Sequence, residues 1–528
     1  MNGHPEWASP RPETRTVTVG TGPVSFADVV AVAREGASVR LGDDALSALE
    51  KGRARVEEIL VGPDAVYGVS TGFGGLATER IPPAQRAQLQ KSLVRSHAAG
   101  TGPEVEREIV RGTMLLRLST LATGYTGIRP GTAELLAAVL SAGITPVIRE
   151  YGSLGCSGDL APLAQCALAL MGEGEVRDAS GTLMPAADAL AAAGLTPVDL
   201  REKEGVSLLN GVEGMLAHLV LALTDLDRLL KTMDIAAAMS VEALLGTDRA
   251  FAPELLSLRP HPGQSLAGAN IVALLDGSGV LASHRDPASG CTRVQDAYSL
   301  RCTPQVHGAV RDTVEHAATV AGRELAAAVD SPAVLDDGRV SSNGNFHGAP
   351  VGYVLDFLAI AIADAASISE RRTDRFLDVA RSSGLPGFLA DDPGVDSGYM
   401  IAQYTQAAIV SELKRLAAPA SVDSIPTSAM VEDHVSMGWG AARKLRRAVD
   451  GLTRVVAVEI LTAARALDLR APLKPSPATG AVVTLLRDRG VPGPGPDRYL
   501  APEIEDAVAL VASGAVVTAV ESVAGALA

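Results

Sequence analysis

Aromatic side chains are nearly missing from this 528-residue chain: Phe, Tyr and Trp together make up 3%. A core without them must close on Ala, Leu and Val, which favours helices packed at short range on small side chains. Cysteine is as rare. Cys156, Cys166, Cys291 and Cys302 are too few for a disulfide framework in a chain this long, and no pair has C-x-x-C zinc spacing. The nine histidines are scattered, and His434 has no H-E-x-x-H context, so nothing argues for a metal. Positive charge is in deficit, 46 Lys and Arg against 61 Asp and Glu, for a net −15. That balance argues against a nucleic-acid or anionic-membrane partner. The N-terminal stretch MNGHPEWASPRPETR is polar and proline-bearing, with no apolar core for a signal peptide, and residues 1–15 are expected to form a disordered tail. Long apolar runs are also lacking. The most apolar stretch, 351–363, is interrupted by Asp356 and falls short of the ~20 residues a membrane span needs. It is expected to be a buried core helix in a soluble, cytoplasmic protein.

What is present points to a large helical molecule. Hydrophobic residues make up 47% and charged residues 20%, which excludes a disordered chain. At roughly 150 residues per domain the length allows three or four domains or one large helical unit. Thr16–Val19 and Ser38–Leu41 alternate as strands and predict a small N-terminal ribbon. Val306, Val310, Val314, Ala317, Ala321, Leu325 and Ala328 recur at spacings of three and four, one face of a long helix. Similar patterns run through 84–98, 105–122, 207–230, 348–378, 396–416 and 433–468, and suggest a central bundle buried on most sides. Prolines punctuate residues 472–496, a region of smaller helices and turns.

Three loops are rich in Gly, Ser and Asn: 68–75 (GVSTGFGG), 151–159 (YGSLGCSGD) and 341–350 (SSNGNFHGAP). Such loops are either mobile linkers or places where backbone approaches a ligand. Standard motifs fail in them. Residues 155–159 lack the second Gly of a nucleophile elbow, and 72–75 lack the strand and Lys of a phosphate loop. Cys156-Ser157-Gly158 permits other chemistry. In a tight bend the Gly158 nitrogen can attack the carbonyl of residue 156. Loss of water closes an imidazolone, and dehydration of Ser157 leaves an exocyclic methylidene, an electrophile no ordinary side chain provides. The alternative is a tight Gly-rich turn before a helix started by Pro162.

The run 152–163 resembles the signature of the histidine/phenylalanine ammonia-lyase family, whose members form 4-methylideneimidazol-5-one (MIO) from an internal Ala-Ser-Gly. Further segments resemble the family in family order: 67–74 (YGVSTGFG), 93–100 (LVRSHAAG), 203–211 (KEGVSLLNG), 259–264 (RPHPGQ), 294–301 (VQDAYSLR), 343–347 (NGNFH) and 432–438 (EDHVSMG). The resemblance covers roughly residues 15–525 and is strongest to histidine ammonia-lyases of actinobacterial type. It implies a mainly α fold, a long central helix bundle of the ammonia-lyase (fumarase/aspartase-like) type with a small N-terminal β element. Residues 16–528 would form a single unit: an MIO-bearing part to about 200, the bundle to about 470, and a C-terminal helical part. It also implies a homotetramer with active sites built from loops of three subunits. From the residues alone, a large monomeric core remains equally open.

The resemblance implies roles residue by residue. Cys156, Ser157 and Gly158 would form the MIO, which takes the amine of an amino-acid substrate. Tyr67 would remove the β-proton, although an ordinary Tyr titrates at about 10 and needs help to act as a phenolate near neutrality. Arg301 would grip the substrate carboxylate through its planar fork. Asn210, Gln295 and Tyr298 would surround the MIO and the amine, and Phe346 would be an aromatic wall. His97 and Glu432 would read the ring, because a carboxylate accepts from an imidazole N–H that phenyl lacks. Each has a plainer reading: Tyr67 and Phe346 as packed aromatics, Arg301 as a surface charge, His97 and Glu432 as helix-end groups. The implied reaction is non-oxidative elimination of ammonia from L-histidine to trans-urocanate. A lyase or 2,3-aminomutase acting on another aromatic or modified-histidine amino acid is the rival, and a non-catalytic scaffold is the third reading. Cys156 stands where Ala is commoner, Val212 where Thr is usual, Val431 where Gln is usual, and Gln165 where His is frequent. Two of these lose polarity near the expected pocket and bear on whether plain histidine is the substrate.

Overall fold

The computed structural model describes residues 15–62, 66–285, 291 and 293–528; the expected tail, 1–14, lies outside the described residues. The last residue of that tail, Arg15, is described and its guanidinium pairs with Asp28 at 2.6 Å. The chain folds into two compact units. The first takes residues up to 221 together with 318–355 and 419–443, and the second takes 222–317, 356–418 and 444–528.

The first unit opens on the expected ribbon. Thr16–Val19 pairs with Ser38–Leu41 in parallel, since the intervening helix Phe26–Ala33 returns the chain in the same direction. Val17, Val19, Val39 and Leu41 are buried, as alternation along a half-buried strand requires. The helix is started by Ser25, which accepts from the Asp28 N–H while the Asp28 carboxylate accepts from the Ser25 N–H. Arg86–His97, Arg107–Ala122, Leu160–Leu170 and Glu204–Leu209 supply the helical frame of this unit. Leu160–Leu170 starts two residues before the expected Pro162, which sits in the first turn, where its missing N–H is harmless.

The second unit is built largely of helix. Its centre is the Glu459 carboxylate, fully buried and reached by the Arg372 guanidinium, the Ser240 hydroxyl at 2.7 Å and the Ser369 hydroxyl at 2.5 Å. Removing one partner of such a pair leaves an uncompensated buried charge and costs about 3–5 kcal/mol. The C-terminal region forms Pro477–Asp488, Ala501–Ser513 and Ala515–Ala524, short helices separated by turns.

Four long helices, Glu213–Ala243, Thr303–Leu325, Ala349–Leu377 and Gly438–Asp468, contain four of the five positions where the chain leaves one unit for the other; the fifth follows the helix Met400–Leu416. On Thr303–Leu325 the expected stripe is only partly inward. Val310, Ala317, Ala321 and Leu325 are buried while Val306 and Val314 are half-buried, polar His307 takes a fully buried place, and Ala328 falls beyond the helix end. The apolar run 351–363 lies within the 29-residue helix Ala349–Leu377, close to the expected pattern over 348–378. By length and composition this helix could cross a membrane, yet 61% of its apolar window is buried within the protein. Its Asp356 is buried and paired with Lys444.

Candidate active site

The segment 151–159 is a bend clamped from several directions. Gly155, Ser157 and Gly158 have φ of +70°, +50° and +88°. Gly and polar residues adopt the left-handed region at lowest cost, and a serine there is strained by about 1–2 kcal/mol. Gly158 forms bridges to Gly155 and Gly211, and a Cβ on Gly158 would lie 1.9 Å from the Gly211 carbonyl oxygen. Only glycine fits. The Asp159 N–H donates to that same carbonyl at 2.7 Å, and the Met437 N–H donates to Leu154 O at 2.9 Å. This bend meets the main demand of ring closure by Cys156-Ser157-Gly158, a backbone curled tightly onto itself around an unhindered glycine nitrogen.

Asp159 anchors the bend. Its carboxylate accepts from the Ser153 hydroxyl and the Met215 N–H, both at 2.9 Å. Complete burial pushes the carboxyl up to about 7 against those bonds. In the unfolded chain an aspartate ionises at about 3.9. The folded value is the higher one, so the stability this group contributes is fullest below about 4 and is lost as pH rises towards 7. Asp159→Asn is expected to flatten that loss, read as the change in urea midpoint between acid and neutral buffer. An unchanged slope would assign the pH dependence to another group.

Beside the bend lies a cavity of about 150 Å³. Ser157, Tyr67, His97, Asn210, Ser428 and Glu432 supply its polar lining, and Phe73, Leu93, Leu160, Val206 and Leu209 its apolar wall. Tyr67 stands edge-on to Phe73, ring centroids 6.0 Å apart, and its hydroxyl oxygen accepts from the Gly74 N–H at 2.9 Å. Asn210 donates through Nδ2 to Ser331 O at 3.0 Å, while its Oδ1 is buried without a protein partner. Its own carbonyl accepts from Arg117, itself locked to Glu213 at 2.7 Å. His97 ends its helix with Nδ1 3.1 Å from the Ser96 hydroxyl. Burial lowers its pKa, opposed by the Glu432 charge, so the ring is neutral at neutral pH. The Glu432 carboxylate accepts from Thr427 Oγ1 at 3.1 Å. The Cys156 thiol is half-buried and pushed up to about 11, by burial first and the Glu432 charge second, so it stays protonated.

Six of the residues singled out from sequence, Tyr67, His97, Ser157, Asn210, Glu432 and, by its neighbours, Cys156, are thus brought together. Gly158 stands behind them in the bend. Phe346 does not line this cavity; it is half-buried in a loop that Asn343 ties to Asp330 O at 2.9 Å. Gln295, Tyr298 and Arg301 belong to the second unit. Tyr298 is 71% exposed, with the Arg301 guanidinium 4.7 Å above its ring, and Gln295 lines a separate cavity of about 210 Å³. None of the three lines the cavity beside Ser157.

The departures also find their places. Val212 is 3% exposed and lines a small separate cavity with Leu116, Thr120 and Glu213. Val431 is 62% exposed. Gln165 is spent on accepting the Arg149 N–H at 3.0 Å. None of the three lines this cavity, and Val212 faces the other one. Sequence reasoning missed Thr427 and Ser428, whose only signal is their place a few residues before Glu432. It passed over Gly211 and Asp159 as partners of the bend.

The chain is similar to known proteins over nearly its whole length. Residues 24–488 match the family model described as aromatic amino acid lyase. A histidine ammonia-lyase from Streptomyces avermitilis is 63% identical over 513 residues, covering 97% of this chain and all of the relative. Among solved structures, the tyrosine aminomutase from Streptomyces globisporus superposes with a TM-score of 0.91 at 37% identity, over 96% of this chain and 98% of its own. The histidine ammonia-lyase from Trypanosoma cruzi does so with a TM-score of 0.88 at 36% identity, over 96% and 95%. With the match spanning both units and every segment that lines the cavity, the chain belongs to the aromatic amino acid lyase family.

Proposed function

We propose that this protein is a histidine ammonia-lyase that eliminates ammonia from L-histidine to give trans-urocanate, as a cytoplasmic homotetramer in which residues 16–528 act as one catalytic unit. The observation that carries the reading is the pairing of His97 and Glu432 on one cavity with Ser157, Tyr67 and Asn210. The tripeptide 156–158, closed to MIO, would supply the electrophile that takes up the substrate amine. The remaining work falls to side chains. Glu432 accepts the imidazole N–H, and neutral His97 provides the second ring contact. Asn210 Oδ1, without a protein partner, is free to accept from the substrate amine. Tyr67 removes the β-proton, and the Gly74 N–H that donates to its oxygen fixes where that oxygen sits. Arg301, with Tyr298 and Gln295, reaches the substrate from a neighbouring subunit, and its unpartnered buried Nε is available to a carboxylate. Phe346 closes the ring side as an aromatic wall from another copy. The tyrosine aminomutase likeness keeps re-addition of ammonia as the second reading.

Steady-state kinetics on a panel of aromatic amino acids, followed by the ultraviolet absorbance of the unsaturated acid, test this. Phenylalanine would leave the Glu432 and His97 groups unpaired, so kcat/KM for histidine is expected to exceed that for phenylalanine by about a thousand-fold or more. The double change Glu432→Gln with His97→Leu is expected to bring the two within about ten-fold. A ratio that stays put while thermal stability falls would make both residues structural. A β-amino acid product would favour the mutase.

A further inference from the structure

Residues 427–432 form a turn whose ends are pinned together. The Thr427 N–H donates to Glu432 O at 2.9 Å and the Glu432 N–H donates to Thr427 O at 3.3 Å. Between them Ser428, Ala429 and Met430 all lie in the left-handed region, with φ of +52°, +53° and +70°. Three successive residues with side chains do not hold that conformation unaided. The outside support is the loop that carries Tyr67. The Ser428 hydroxyl accepts from the Gly75 N–H at 3.2 Å, and a Cβ on Gly74 would come within 2.3 Å of that hydroxyl oxygen. Gly74 is also the residue whose N–H reaches the Tyr67 hydroxyl. On the other side of the turn, Thr427 Oγ1 donates to the Glu432 carboxylate at 3.1 Å.

Two adjacent residues therefore hold two different parts of the site. We propose that Ser428 and Thr427 are positioning residues that couple ring recognition to base placement: Thr427 aims the Glu432 carboxylate, and Ser428 holds the Gly74–Gly75 backbone that sets the Tyr67 oxygen. This rests on the proposed roles of Tyr67 and Glu432. Its physical content is that a ring seated on Glu432 tightens a turn whose left-handed backbone is braced against the Tyr67 loop. The glycine at 74 follows from the same contact, since a side chain there would displace the Ser428 hydroxyl.

The test uses the full-length protein with Ser428→Ala, Ser428→Gly and Thr427→Val. Ser428→Ala is expected to lower kcat about five- to ten-fold, the worth of one hydrogen bond, with KM nearly unchanged. Ser428→Gly relaxes the backbone but removes the hydroxyl, so it should follow the alanine variant; wild-type kcat in Ser428→Gly would overturn the proposal. Thr427→Val should raise KM for histidine about five- to ten-fold with little change in kcat. Hydrogen–deuterium exchange without substrate should show residues 68–76 exchanging faster in Ser428→Ala, with the rest of the first unit unchanged. Unaltered exchange together with an unchanged kcat in Ser428→Ala would overturn the coupling and leave the histidine reading standing. Should the wild type ignore histidine, the kinetics are run on the aromatic amino acid it does deaminate. Faster exchange and a lowered kcat there would uphold the coupling while the histidine reading falls.

Discussion

Ser157→Ala is expected to abolish turnover, by about a thousand-fold or more, and to restore the full mass of the chain. The wild-type protein should weigh less than its sequence by two waters, one lost on ring closure and one from the Ser157 side chain. The variant should keep that mass and its oligomeric state, because Ser157 is a half-buried residue in a bend held by Asp159, Gly211 and Met437 rather than by its own hydroxyl. Intact-mass spectrometry and size-exclusion chromatography on the same samples check both halves. An unmodified mass in active wild-type protein would remove the MIO from the account, whatever the substrate. Cys156 does not stand in the way. Its thiol is kept protonated beside Glu432 and offers no competing thiolate at neutral pH.

Mixing two dead variants is expected to give back activity only for some pairs. Ser157 lies in the first unit and Arg301 in the second, and Arg301 does not line the Ser157 cavity. If neighbouring copies complete each other, Ser157→Ala and Arg301→Ala chains exchanged in equal amounts should recover roughly a quarter of the wild-type rate, the share of sites that draw an intact half from each. Tyr67→Phe mixed with Ser157→Ala should recover nothing, because Tyr67 and Ser157 line one cavity of one chain. The rate after dilution and re-association, with exchange shown by a mass tag, is the measurement. No recovery for the first pair despite exchange would mean that each site is closed within one copy.

The fold was legible where local pattern and final environment agree. The ribbon at Thr16–Val19 and Ser38–Leu41 alternates because one face is buried, and the long helices repeat at three and four because each has a buried stripe. Legibility weakened where polar groups are buried in pairs. Nothing local marks Arg372 and Glu459, or His307 and Asp234, as interior, since each is tolerated only because its distant partner is there. The site residues became legible through the resemblance rather than through spacing, and the grouping of Tyr67, His97, Ser157, Asn210 and Glu432 depends on loops far apart in the chain. The turn at 428–430 was invisible for a further reason: left-handed backbone usually announces itself with Gly or Asn, and here Ser, Ala and Met hold it against their own preference. Val212 misled because nearness to Asn210 in sequence is not nearness to the cavity; the backbone turns between them and the side chain points to another pocket.

The contact between Gly158 and Gly211 has a consequence for how the protein is made. These glycines are far apart in sequence, yet their backbones touch so closely that no side chain fits between them. The bend at 156–158 therefore exists only in a chain that has already brought the 211 region home. On the proposed MIO chemistry, maturation would then be a checkpoint that follows folding, and each matured molecule would carry a lasting record of having passed it. In a preparation made under stress, the fraction at full mass would count the chains that never reached the native arrangement, long after soluble aggregates and refolded protein had become indistinguishable by size.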